Sequence, residues 1–222
     1  MAGLLSPEKV TEATRALDLT GVFANGMPGG VRARERDLDL FGFLVIGVVS
    51  GLGGGIIRDT LLQRGTPVAL TGYAYLTAAF AGTLPAFLVA MSRHASGPAF
   101  ELLDATALGV WGVAGAQKTL TVGLGRLPAV LLGTITAVGG GAVRDLLLGA
   151  TPGVLGGRTP YATVAALVSG VLVLGSRLGA PVVGMVASVV AGTLLRPAAL
   201  SRGWRLPDHR DWRPGGSRRQ DG

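Results

Sequence analysis

The sequence predicts an all-α integral membrane protein with seven transmembrane helices, built as an inverted repeat of three helices plus three, with a seventh left over. Three observations carry that prediction. The 222 residues are 49% hydrophobic and only 15% charged, with a mean hydropathy of +0.50, whereas a soluble domain carries about 25% charged residues. The charges fall between apolar stretches of membrane-spanning length and in the tail after Pro197. One motif also occurs twice. Residues 50–62 and 136–148 lie 86 positions apart and agree at seven of 13 positions: three glycines, an Arg, an Asp and two leucines.

A helix crossing the ~30 Å hydrocarbon layer needs about 20 mostly apolar residues. The first candidate, 10–29, is weak because Arg15, Asp18 and Asn25 lie inside it. The second, 40–57, is strong and ends in the Gly-Gly-Gly-Ile-Ile-Arg-Asp motif. The third, 68–91, contains Pro85, a source of kinks. The fourth, 100–117, is weak again, with Glu101 and Asp104 at its start and Lys118 at its end. The fifth, 127–143, ends in the second glycine run; the sixth is 161–176 and the seventh 181–195. The units are therefore read as 10–92, 100–176 and a seventh helix at 178–196, followed by a disordered basic tail at 197–222, rich in Arg, Pro and Gly.

The repeat extends beyond the motif. At the offset of 86, Leu17, Asp18 and Thr20 match Leu103, Asp104 and Thr106, and Gly26, Gly29 and Gly47 match Gly112, Gly115 and Gly133. In the third helix an offset of 88 aligns Tyr73, Ala74, Ala78 and Gly82 with Tyr161, Ala162, Ala166 and Gly170. A period near 86 is too long for a solenoid. Three crossings per unit start the second unit from the opposite side, so the units are inverted, a plan familiar from transport proteins. Thirteen of the 20 basic residues fall on the side of the tail and seven on the other. The positive-inside rule then places the C-terminus in the cytoplasm and the N-terminus outside, in a plasma (inner) membrane.

Each glycine run, Gly53, Gly54, Gly55 and Gly139, Gly140, Gly141, admits two readings. Glycine costs roughly 1 kcal/mol per position in a helix against alanine. The runs either unwind two helices that line a permeation path, with carbonyls facing ions, or let neighbouring helices pack closely. No Lys-Ser/Thr follows them, so a nucleotide site is not expected. Arg58, Asp59, Arg144 and Asp145 at the helix ends are anchors, ion pairs or functional groups. Asp18 and Asp104 lie inside spans. Antiparallel packing within each unit puts Asp18 beside Arg58 and Asp104 beside Arg144, one pair near each face. Lys118 is either a pore charge or a snorkelling lysine.

The chain has no cysteine, and its two histidines, His94 and His209, lie in polar connectors, so no metal site and no cofactor is expected. No Ser-His-Asp, HExxH or similar constellation points to an enzyme. The net charge of +7 is explained by membrane topology without nucleic acid. The N-terminus carries no pattern of a cleaved signal peptide.

The doubled Gly-Gly-Gly-x-x-Arg-Asp motif, the Asp early in the first and fourth helices, and the three-plus-three-plus-one plan resemble the trimeric intracellular cation channel family. The resemblance is closest to the bacterial branch, whose domain is also labelled a glycine transporter domain, and covers roughly residues 10–196. It implies a homotrimer in the lipid bilayer, one pore per protomer passing K+ and also Na+, and glycine-rich breaks that kink the second and fifth helices. Animal members carry Lys-Glu-Val in the fourth helix and bind a phosphoinositide there. Here the region reads Gln117-Lys118-Thr119, keeping only the Lys. A secondary transporter for glycine or a similar small zwitterion is the alternative on the same fold.

Overall fold

The computed structural model describes residues 7–88, 98–156, 160–204 and 206. All its regular structure among these residues is helical. Seven helices are long: α1 (Pro7–Arg34), α2 (Leu40–Leu62), α4 (Tyr73–Leu88), α5 (Pro98–Thr121), α6 (Arg126–Leu147), α8 (Tyr161–Arg177) and α9 (Pro181–Ser201). Two single turns, α3 (Val68–Thr71) and α7 (Gly153–Gly156), follow α2 and α6.

Helix ends follow local chemistry. Asp39 caps α2, its side chain accepting from the Gly42 N–H at 2.7 Å. At the end of α9, Gly203 takes φ +60°. Its N–H donates to Leu200 O and that of Trp204 to Ala199 O, the paired bonds of a Schellman cap. The seventh helix therefore runs to Ser201, through Pro197, and the tail does not start at 197 as expected. The third span is also corrected. Gly72, in an extended conformation, separates the turn α3 from α4. Residues 1–6, 89–97, 157–159, 205 and 207–222 are not described; the end of the third span, His94, His209 and most of the tail fall there.

α2, α6 and α9 are long and apolar enough to cross a membrane, and α4 and α8 are shorter apolar helices. The weakly hydrophobic α1 and α5 lie inside. α5 packs against α1, α6, α8 and α9, while α1 packs against α2, α4 and α5. Residues 107–117 of α5 are buried without interruption. Interior helices need not be apolar towards lipid, which is why their hydropathy signal is weak. The outward faces carry large apolar side chains, among them Phe41, Leu70, Leu127 and Leu194. A soluble monomer rarely shows so much apolar surface.

The repeat is visible in the contacts. In the first unit a Cβ on Gly29 would come within 2.9 Å of Gly47 Cα; in the second, one on Gly115 would come within 2.9 Å of Gly133 Cα. Thr83 of α4 donates to Ala79 O at 2.7 Å and Gly26 O at 3.4 Å; Ser169 of α8 donates to Ala165 O at 2.9 Å and Gly112 O at 3.4 Å. These pairs keep the offset of 86 through the third helix. The offset of 88 expected there is therefore corrected. Tyr161 corresponds to the buried Tyr75, not to Tyr73, which is 89% exposed.

Candidate functional site: two charged clusters joined by a glycine crossing

Both glycine runs are fully helical, so neither α2 nor α6 is unwound. Backbone groups with no water to bond keep their intrahelical partners. The glycines instead let α2 and α6 cross in contact. A Cβ on Gly54 would overlap the Thr136 carbonyl oxygen, and one on Gly140 would overlap that of Ser50. A Cβ on Gly53 would meet Gly140 Cα at 3.2 Å, and one on Gly139 would meet Gly54 Cα at 3.3 Å. Close packing, one of the two sequence readings, accounts for Gly53, Gly54, Gly139 and Gly140. Gly55 and Gly141 meet only ordinary contacts, with Trp111 at 3.5 Å and Arg144 at 3.6 Å respectively.

The Arg-Asp pair has a local reason in both units. The Arg Nε donates to the neighbouring Asp Oδ1, at 2.8 Å for Arg58–Asp59 and 2.9 Å for Arg144–Asp145. The other carboxylate oxygen accepts a backbone N–H at the start of the following turn: Val68 at 3.1 Å for Asp59, Gly153 at 3.2 Å for Asp145. The Asp thus ties the end of the long helix to the short one.

Beyond this the clusters diverge. In the first, Arg58 holds Asp18 with both terminal nitrogens, at 2.8 and 3.2 Å, as the antiparallel argument predicts. Lys118, from the second unit, donates to Asp59 Oδ1 at 2.8 Å. Arg58, Asp18 and Asp59 are 1%, 3% and 6% exposed. Such a pair persists because each charge is multiply hydrogen-bonded. Trp111 seals it from within, lying against Gly55 and within close contact of Gly21.

The predicted Asp104–Arg144 pair does not form. Arg196 of α9 comes to Asp104 instead, at 3.7 Å, and its guanidinium stacks 4.4 Å over the Tyr161 ring. Arg144 turns to Asp145 and, at 3.5 Å, to Ser50 Oγ of α2. The seventh helix belongs to neither repeat, so repeat logic could not foresee it. The position equivalent to Trp111 is Asn25. A cavity of about 330 Å³ opens at this end, lined by Asp104, Gly141, Arg144, Asp145, Tyr161 and Arg196 among others. Sequence reasoning also passed over Ser50 and Thr136, although hydroxyls at matched positions of the repeat were a visible signal.

A helical bundle with apolar outer faces, a duplicated unit and buried charge at both ends of a glycine crossing defines a membrane protein rather than a soluble bundle. The family model for Glycine transporter matches the chain twice, at residues 15–91 and 101–177. The chain belongs to that family and, with it, to the bacterial relatives of the trimeric intracellular cation channels. A UPF0126 membrane protein of Deinococcus radiodurans is 37% identical over 168 residues, 75% of this chain and 78% of the relative. A TRIC cation channel whose structure was solved to explain conductance superimposes with a TM-score of 0.80 at 34% identity, over 87% of this chain and 96% of that one. The TRIC trimeric intracellular cation channel orthologue from Rhodobacter sphaeroides superimposes at 0.78 and 33% identity, over 86% and 98%. The family and its structural neighbours are channels or transporters, not enzymes.

Proposed function

We propose that the chain is a cation channel of the inner membrane, passing K+ and Na+ through a path within each protomer of a homotrimer. The observation that carries this reading is the likeness to solved TRIC cation channels over nearly their whole length. The path follows the cavity at the Asp104 end towards the crossing of Gly53–Gly55 and Gly139–Gly141, whose Gly141 and Val138 line that cavity. Seven crossings, with residues 10–92 and 100–176 as inverted units and Pro181–Ser201 as the seventh helix, put the termini on opposite sides. The excess of basic residues near the C-terminus supports a cytoplasmic location for it.

Purified protein in planar bilayers under a K+ gradient tests the proposal. Discrete unitary currents, altered by Gly54→Leu or Gly140→Leu, are the expected outcome. Silence in the bilayer together with saturable glycine uptake into proteoliposomes would replace the channel with a carrier.

A further inference from the structure

Lys118 and Arg32 occupy the same place in the two units, 86 positions apart. They act differently. Lys118 crosses from α5 to α2 and lands on Asp59 at 2.8 Å. Arg32, on α1, lines the cavity that also holds Asp145, the counterpart of Asp59. Yet it pairs with Glu35 at 3.0 Å, with the two side chains 54% and 50% exposed. Asp145 keeps Arg144 and the Gly153 N–H, and among the described residues no side chain from the first unit reaches it. α1 touches α6 as α5 touches α2, so the helices stand in the matching relation.

We propose that Arg32 is a movable closure, which leaves Glu35 for Asp145 and shuts the cavity as Lys118 shuts the opposite end on Asp59. An exposed pair one helical turn apart, such as Arg32–Glu35, contributes little and is screened by salt. Asp145 is 17% exposed on its side chain, in a less screened setting where a second cation gains more. Release of Arg32 is therefore cheap, and its capture sets attraction to Asp145 against repulsion from Arg144 and Arg196 on the same cavity, so the two positions lie close in energy. Resting on the channel reading, the proposal makes a permeating cation and Arg32 competitors for one carboxylate. Lys118 is then a tethered cation already seated at the equivalent carboxylate. The structure has Lys118 seated on Asp59 at one end and Arg32 held by Glu35, away from Asp145, at the other.

The chain has no native cysteine, so a single Ala142→Cys on the cavity wall reports closure through its rate of modification by a neutral, water-soluble thiol reagent in proteoliposomes. Glu35→Gln frees Arg32 and is expected to slow modification several-fold. Arg32→Gln is expected to speed it, and Asp145→Asn to abolish the effect of Glu35→Gln. Rates indifferent to Glu35→Gln, or slowed equally in the Asp145→Asn background, would overturn the closure. Unitary currents recorded on the same proteins separate the two claims. Shifted rates without any K+ current leave the closure standing and remove the channel; K+ current with unmoved rates does the reverse.

Discussion

At the Asp18 end, Asp18, Arg58 and Asp59 form a continuous, almost fully buried network beside Trp111, with the partly exposed Lys118 at its edge. The Asp104 end has the same Arg-Asp pair and the same tie to a short helix, but Arg144 and Asp145 are 14% and 17% exposed on their side chains and face a cavity. The scaffolds share the glycine run, the Arg-Asp pair and the Asp of the first helix across the offset; three non-matching positions accompany the different outcomes. Trp111 stands where the first unit has Asn25, Arg196 comes from the unrepeated helix, and Arg32 pairs with Glu35 of its own unit where Lys118 pairs with Asp59 of the other unit. Duplication supplied two equivalent frames, and a few side chains made one a buried ion-pair network and the other the wall of a cavity.

Removing the central arginine at each end tests that contrast most strongly. Arg58→Ala strands the buried Asp18 carboxylate and leaves Asp59 with only Lys118 and the Val68 N–H, and is expected to cost about 3–5 kcal/mol. Arg144→Ala, at the wetter end, is expected to cost about 1–2 kcal/mol. Thermal unfolding in detergent measures both, and equal losses would erase the distinction. Trp111→Ala empties the space beside the network and is expected to cost about 3–5 kcal/mol; Asn25→Ala should stay within about 1 kcal/mol. A similar response at both positions would mean that Trp111 does not seal the cluster. Where the units meet, the contrast should vanish. Gly54→Ala and Gly140→Ala each force a Cβ onto a carbonyl oxygen and should cost about 1–3 kcal/mol, alike within error. Unequal melting shifts would place the crossing off the repeat axis. Smallest of all, Gly141→Ala meets only ordinary contacts and should change stability by no more than about 0.5 kcal/mol.

Much of this was legible in the residues. The doubled motif and its offset predicted two copies of one unit, and antiparallel packing was enough to pair Asp18 with Arg58. The same argument failed for Asp104 because α9, outside the repeat, supplies Arg196. The third-helix alignment slipped by two residues because it leaned on Ala and Gly, which are common in any apolar helix. The hydroxyls of Thr83 and Ser169 hold the true register. The glycines were read as places where a helix opens or as places where two helices meet. Helix propensity could not choose between these, because the deciding fact is which backbone lies opposite.

The crossing also bears on how such a chain diverges after duplication. Gly54 faces the carbonyl beside which Gly140 sits, and Gly140 faces that beside which Gly54 sits. A bulky change in either copy damages the surroundings of both. Elsewhere the two copies can differ, as they do at Asn25 and Trp111. At the crossing neither copy is spare, so the two halves can specialise at their ends while their shared centre stays fixed.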